Sequence, residues 1–252
     1  MTRDLTGQVM IITGASSGIG AATAVECAGA GMDIVLNARR EDRLKRVSER
    51  IGEFGQRSEV VVGDVNEPGL SQRLIDAAVD TFGRFDAVFA NAGYGFGKPM
   101  IDVEDDELRQ IFDVNFFAAV DLCRLAARQL IQHKRPGHLI MCSSCLSKFS
   151  APRYGAYSAT KASQDHICQA MFGELKPYNI AVSSVHPITT TTEFFERAAE
   201  RSGKPGGQSV NSGDGGGFLV QPPEKVARAT IKCLRRPRRE IWTSHLVRFA
   251  AG

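Results

Sequence analysis

Short, wholly apolar runs alternate with longer amphipathic ones along nearly the whole chain, and this alternation restricts the fold more than any other feature. Val9-Met10-Ile11-Ile12 is short, uniformly apolar and followed by glycines, so it reads as a buried strand. Residues 18–30 read as a helix closed by Gly31, and Asp33-Ile34-Val35-Leu36-Asn37 as the second strand. A charged amphipathic helix over Glu41 to Glu53 precedes a third strand at Glu59-Val60-Val61-Val62. Pro68 suits a first helical turn and opens a helix to about Phe82, with Asp86-Ala87-Val88-Phe89-Ala90 as strand four. A long helix is expected from Glu104 to about His133, capped by Asp102. His138-Leu139-Ile140-Met141-Cys142 is strand five, 157–175 a helix, and Ile180 to Val185 strand six. A helix over 224–235 and a short strand at 240–243 finish the pattern. Strands apolar on both faces, separated by helices, require a parallel sheet covered on both sides. The expected fold is α/β: a single doubly wound Rossmann-type domain over 1–252, with a seven-stranded, mostly parallel sheet.

Composition narrows the function classes. The 252 residues are long for two domains and ample for one large core. Lys plus Arg is 31 and Asp plus Glu 28, a surplus of +3 that does not argue for a nucleic-acid binder. No run approaches the ~18 uninterrupted apolar residues of a membrane span. The acid-containing start Met1-Thr2-Arg3-Asp4 lacks the pattern of a signal peptide. Six scattered cysteines do not make a disulfide scaffold, so a reduced, cytoplasmic protein is expected. The five histidines show no metal-ligand spacing, and His186 and His166 read as packing or solvent-facing.

The first strand runs into Thr13-Gly14-Ala15-Ser16-Ser17-Gly18-Ile19-Gly20 and then a helix. Glycines there allow a tight turn and close approach to a pyrophosphate, while the helix N-terminus offers free N–H groups. Many strand-to-helix turns need glycine for conformation alone, and it is the βαβ context that strengthens the reading. At the end of strand two a protein that binds NAD(H) should offer an acid to the ribose hydroxyl, but this chain reads Asn37-Ala38-Arg39-Arg40. A guanidinium fork suits a phosphate, so NADP(H) is expected in preference to NAD(H), with Arg39 as the primary 2′-phosphate contact and Arg40 secondary. The competing reading makes both arginines the solvated start of a charged helix. Farther on, residues 202–217 hold seven glycines and almost nothing apolar, and the segment of about 202–220 reads either as a lid over the site or as plain surface loop.

Tyr157 and Lys161 lie four apart on one helical face, and Ser144 sits just past strand five. A tyrosine ordinarily titrates near pH 10, too high for acid–base work at neutrality, and a neighbouring ammonium would lower it. A serine hydroxyl can steady charge on a substrate oxygen. Together the three suit hydride transfer, although a Tyr/Lys pair at this spacing is also common on solvated helix faces.

Taken together, TGASSGIG at 13–20, Asn91-Ala92-Gly93, Asn115, Ser144 and Tyr157-Ser158-Ala159-Thr160-Lys161 resemble the short-chain dehydrogenase/reductase family over residues 7–243. The resemblance implies that Ser144 polarises the substrate oxygen and that Tyr157 is the acid/base. It implies that Lys161 binds the nicotinamide ribose and lowers the tyrosine pKa, and that Asn115 holds a water of the proton relay. Gly14, Ser17, Ile19 and Gly20 would contact the phosphates, with Ser16 and Gly18 in the same loop. Asp64 and Val65 match the family's adenine contacts, and Asn91, Ala92 and Gly93 would brace the sheet beside the cofactor. Relatives with arginine at the place of Arg39 generally prefer NADP(H). Family members are commonly homodimers or homotetramers built on the helices matching 104–133 and 157–175.

The chain departs from the family at His186-Pro187-Ile188, where Ile188 replaces a glycine. Pro187, Ile188, Thr190 and Thr192 are still expected on the cofactor, the last three at its carboxamide. Only one asparagine precedes Ala92, a milder change. The substrate pocket is expected from Tyr94, Phe96, Cys145, Leu146, Phe149, Tyr154, Phe194 and Phe195, suggesting a hydrophobic carbonyl or alcohol substrate. Two other readings compete with catalysis. One is a non-catalytic NADP(H)-binding sensor or scaffold, against which the complete Asn115–Ser144–Tyr157–Lys161 set argues. The other is thiol redox at Cys142 and Cys145, which lack a second pair for zinc and close a strand rather than open a helix. The basic run 235–239 suits a helix end. The last residues carry no evident cap, so the natural chain is left room to continue past Gly252.

Overall fold

A computed structural model describes residues 2–194, 198, 201, 202 and 220–250, with His245 and Ala250 described in backbone only. Its central strand, β1 (Val9–Thr13), is buried at every position, as a strand with helices on both sides must be. Alternate side chains leave opposite faces. Met10 and Ile12 pack in the layer that holds α1 (Gly18–Gly29), α2 (Glu41–Gly52) and α7 (Pro223–Arg235). Val9 and Ile11 pack in the layer of α3 (Leu70–Phe82), α5 (Ala118–Gln132) and α6 (Gly155–Leu175).

The other strands are β2 (Asp33–Ala38), β3 (Ser58–Val62), β4 (Ala87–Ala90), β5 (Gly137–Cys142), β6 (Ile180–His186) and, after a two-residue pair, β9 (Glu240–Trp242). They form one seven-stranded sheet in the order β3-β2-β1-β4-β5-β6-β9, parallel at every pairing. Strand order reverses at β1, with β2 on one side and β4 on the other. A crevice opens at such a switch point, beyond the carboxyl ends of the strands. The expected doubly wound Rossmann-type sheet is the observed one.

Several local expectations need correction. Pro68 stands outside α3, which begins at Leu70 after Gly69 in the left-handed region (φ 79). Asp102 caps nothing and lies in a 3₁₀ turn; Glu104 is the N-cap of α4 (Asp105–Phe112), and its N–H donates to Glu107 at 2.9 Å. The single helix expected over 104–133 is broken by a π-helical turn, Asp113–Phe117, which α5 continues. A wider turn inserts one extra residue and turns the following side chains relative to the preceding ones. Two short strands, β7 (Thr189–Thr190) and β8 (Val220–Gln221), pair in parallel without any sequence signal. A terminal helix α8 (His245–Ala250) also went unexpected. The glycine-rich 202–220 segment lies outside the described residues except for its ends, Ser202 and Val220.

Candidate active site

A cleft of about 480 Å³ follows the carboxyl ends of β1, β2, β4, β5 and β6. It is lined at one end by the turn after β1 and the tip of β2, and at the other by Ser144, Tyr157 and Lys161.

The turn after β1 is built for close approach by a ligand. Gly14 has φ 66, and a Cβ there would meet Ala92 Cα at 2.9 Å. A Cβ on Gly20 would stand 2.3 Å from the Gly14 carbonyl oxygen, so the first turn of α1 can press against the loop only with glycine there. Asn91 Nδ2 donates to the carbonyls of Thr13 (3.0 Å) and Gly14 (3.3 Å), tying the loop to β4. Ser17, the N-cap of α1, leaves its side chain uncapping, and no acid occupies the first turn. The helix N-terminus therefore keeps donors and a positive dipole end for an anion. At the tip of β2, Asn37 is fully buried; its Nδ2 donates to Val61 and Gly63, while its Oδ1 has no hydrogen-bond partner. A buried acceptor without a donor, beside a cleft, suits a ligand that brings one.

Of the two arginines, Arg40 is the one the fold brings onto the loop. Its Nη2 donates to Ser16 Oγ (3.1 Å) and Ser17 Oγ (2.9 Å). Arg39 is more exposed and pairs with Asp64 at 3.3 Å. Both line the cleft with Ser16, Ser17, Gly18, Ile19, Asp64 and Val65, so the donor set fits a phosphorylated dinucleotide.

At the other end, Ser144 caps a 3₁₀ turn (Cys145–Ser147), its Oγ accepting from Leu146 N at 3.1 Å. Ser143 Oγ donates to the Lys161 carbonyl at 3.0 Å, fixing the end of β5 against α6. Tyr157 and Lys161 leave the same face of α6, as the four-residue spacing requires. The Lys161 ammonium is 5.8 Å from the Tyr157 ring centroid and donates to Cys142 O (2.7 Å) and Gln164 Oε1 (3.0 Å). Burial lowers Lys161 to about 8. Burial also pushes the Tyr157 phenol above its ordinary value, a rise that a hydrogen bond with Ser144 opposes. Among the protein's own groups, burial is the largest influence on the Tyr157 phenol.

Asn115 sits behind the cleft wall in the π turn, fully buried. Its Oδ1 accepts from Tyr94 N (2.9 Å), and its Nδ2 donates to Tyr94 O (2.8 Å) and Thr160 Oγ1 (3.1 Å). Its carbonyl accepts from Gln164 Nε2 at 2.6 Å. Gln164, which drew no attention in the sequence, thus bridges Lys161 and Asn115.

Beneath Ser144 lies a buried charged cluster. His186 stacks on Trp242 at 4.5 Å, and its Nδ1 lies 3.1 Å from both Ser144 O and Ser147 Oγ. Its Nε2 lies 2.9 Å from Ser184 Oγ and 3.4 Å from Asp165 Oδ1. The donor atoms of Asp165, His186 and Glu240 lie within 4.8 Å of one another. A metal could use that spacing, but Lys148 already sets its ammonium 2.6 Å from Asp165 and 2.9 Å from Glu240.

Ala92, Gly93, Tyr94, Cys145, Leu146, Tyr154, Pro187, Ile188, Thr190, Thr192 and Phe194 also line the cleft as expected, as does Asn91. Gly20 packs beneath it. Phe149 is exposed and outside the lining, and Phe96 is buried with Ile111 and Ala156 instead. Phe195 lies outside the described residues. Cys142 and Cys145 are free thiols that burial raises above their ordinary value, which leaves little thiolate for redox chemistry. Glu193, Arg201, Gln110 and Val114 also line the cleft, with no motif or period to mark them.

The short chain dehydrogenase family model matches residues 8–203. Among curated relatives, 11-beta-hydroxysteroid dehydrogenase A of Sesamum indicum is 35% identical over 206 residues, covering 79% of this chain and 58% of its own length. A short chain dehydrogenase/reductase from Burkholderia phymatum, solved in complex with NAD, superposes with a TM-score of 0.87 at 25% identity, covering 99% of this chain and 93% of that one. A short-chain dehydrogenase from Sphingobium yanoikuyae, solved in complex with NADPH, superposes with a TM-score of 0.82 at 25% identity, covering 97% and 91%.

Proposed function

Since this chain belongs to the short-chain dehydrogenase family, we propose that it is an NADP(H)-dependent oxidoreductase acting on a carbonyl or secondary alcohol. The observation that carries this reading is one continuous cleft with a phosphate-binding turn and two arginines at one end and Ser144, Tyr157 and Lys161 at the other. The loop Gly14–Gly20 and the α1 N-terminus would hold the pyrophosphate, Arg39 and Arg40 the 2′-phosphate, and Asp64 and Val65 the adenine. Pro187, Ile188, Thr190 and Thr192 would meet the nicotinamide end. When bound, the nicotinamide donates or accepts the hydride.

The remaining work belongs to the side chains. Ser144 Oγ donates to the substrate oxygen and steadies negative charge as it develops. Tyr157 gives its phenolic proton to that oxygen in reduction and takes it back in oxidation. Lys161 holds the ribose and, by its charge, favours the phenolate that proton loss creates. Asn115 fixes the turn that carries Tyr94 and would hold a relay water. The apolar flank of Tyr94, Leu146, Tyr154 and Phe194 suits a hydrophobic substrate. We also read the protein as one catalytic domain over 1–252, cytoplasmic, and a homodimer or homotetramer. Its six free cysteines suit a reducing compartment, and no described helix is long and apolar enough to cross a membrane.

The test is Tyr157→Phe against a panel of ketones and alcohols followed by NADPH absorbance. Turnover should fall by roughly 10²–10⁴-fold while NADPH binding stays within about twofold. Unchanged turnover would refute the assignment.

A further inference from the structure

Glu193 stands close to the arginines that a phosphate would need. It follows β7 by only a few residues, yet its carboxylate pairs with Arg40 Nη1 at 2.9 Å and with Arg43, both at the start of α2. The same Arg40 guanidinium bonds Ser16 and Ser17 through Nη2. One side chain thus joins the phosphate loop, α2 and the segment after β7. The site is partly enclosed: the Arg40, Glu193 and Arg43 side chains are 26%, 34% and 35% exposed. The preceding residue anchors the same contact, since a Cβ on Gly18 would stand 2.9 Å from Thr192 Cγ2. Hydrogen bonds from Arg43 and then Arg40 hold the Glu193 carboxyl below its ordinary value, so it is an anion at neutral pH.

A guanidinium offers the same planar fork to a carboxylate and to a phosphate. The fork that Glu193 engages is therefore one that a 2′-phosphate at the tip of β2 would claim. Resting on the reading that NADP(H) binds there, we propose that Glu193 is a specificity-determining residue, an internal carboxylate that competes with the cofactor's 2′-phosphate for Arg40 and Arg43. It weakens the hold on NADP(H) and leaves that on NAD(H) unaltered. A nucleotide bearing the phosphate displaces Glu193 from the fork, and one lacking it leaves the tie in place. Phe194, next in sequence, lies against Tyr157 with ring centroids 5.5 Å apart, so the tie runs from the nucleotide end of the cleft to the reacting end.

The experiment measures dissociation constants of NADPH and NADH by fluorescence, and of 2′,5′-ADP and 5′-ADP by calorimetry, for the native chain, Glu193→Gln, Glu193→Ser, Arg40→Ala and Arg39→Ala. Both Glu193 variants should bind NADPH and 2′,5′-ADP about three- to tenfold more tightly, with NADH and 5′-ADP within about twofold of native. Arg40→Ala should lose NADPH affinity selectively, by about tenfold or more. If Arg40→Ala behaves so and neither Glu193 variant tightens NADPH, or if NADPH and NADH shift equally, the competition is overturned while the 2′-phosphate reading stands. If Arg40→Ala leaves NADPH unaffected, Arg40 does not hold the 2′-phosphate and the competition is overturned; the 2′-phosphate reading itself fails only if Arg39→Ala is equally without effect. Melting temperatures of all variants identify any misfolded protein.

Discussion

At the scale of single residues, the reacting end of the cleft was legible wherever the decisive geometry is local. Tyr157 and Lys161 had to share a face because an α-helix returns every 3.6 residues, whatever surrounds it. What surrounds them was not legible. Gln164 reaches Asn115 across forty-nine positions and Glu193 reaches Arg40 across 153, and no local period connects such pairs. The environment of Lys161 yields a prediction at this scale. Its ammonium rests on Gln164 Oε1, and Gln164 is itself fixed by the Asn115 carbonyl. Gln164→Leu removes a hydrogen bond to a charged group, so kcat for ketone reduction should drop by roughly ten- to hundredfold with KM little changed. Its pH profile should shift as well, because the ammonium loses an acceptor that favours the charged form. Gln164→Glu, which keeps the acceptor for Lys161 but loses the donor to the Asn115 carbonyl, should recover only part of the rate. A kcat equal to native in Gln164→Leu, across the pH range, would show that Lys161 is held adequately without the amide.

Among elements, the junction of β1 and α1 was the most readable, since its constraint is written as glycine. Gly20→Ala would drive a methyl into the Gly14 carbonyl. It should weaken NADPH and NADH by a similar factor, unlike a change at Arg40, and parallel titrations of the two nucleotides distinguish these outcomes. Amphipathic periodicity survives a one-residue π insertion almost unaltered, so the pattern over 104–133 reads as one helix although the structure interrupts it. Asn115 lies within that insertion, fully buried. Asp165, almost fully enclosed on α6, ties that helix to His186 of β6 and, through Lys148, to Glu240 of β9. Burial alone would raise its carboxyl, but hydrogen bonds from His186, Lys148 and Ser184 outweigh this and hold it well below the ordinary range. A carboxyl depressed in the folded state contributes stability that is full above its unfolded pKa, about 4, and is lost as pH falls toward the folded value. Thermal unfolding should therefore show a decline below about pH 4 that Asp165→Asn reduces. At pH 7 that variant should cost about 1–3 kcal/mol, because it weakens the hydrogen bonds that the carboxylate accepts from Lys148 and Ser184 while Lys148 keeps Glu240. An Asp165→Asn protein with the native acid slope would disprove this source of it.

For the molecule as a whole, strand order decides where function can lie. Because β1 separates β2 from β4, loops diverge on the carboxyl side at the switch point, and the cleft occupies that crevice. Large apolar side chains remain exposed at Phe117, in the π turn, and at Phe172 on α6, on the helices through which the family commonly associates. Light scattering should return the mass of a dimer or tetramer of the 27.3 kDa chain, and Phe117→Asp should move it toward the monomer. A native chain that is monomeric at micromolar concentration would rule out the assembly. The sequence by itself determined the parallel sheet, the glycine turn after β1 and the Tyr157–Lys161 face, because strand alternation, glycine requirements and helical period are short-range properties of the chain. Only the tertiary structure decided which arginine meets the phosphate loop, what holds Lys161, and that an acid from beyond β7 shares the arginines at β2. Those contacts join segments far apart in sequence, and their partners are chosen by packing, burial and charge in three dimensions.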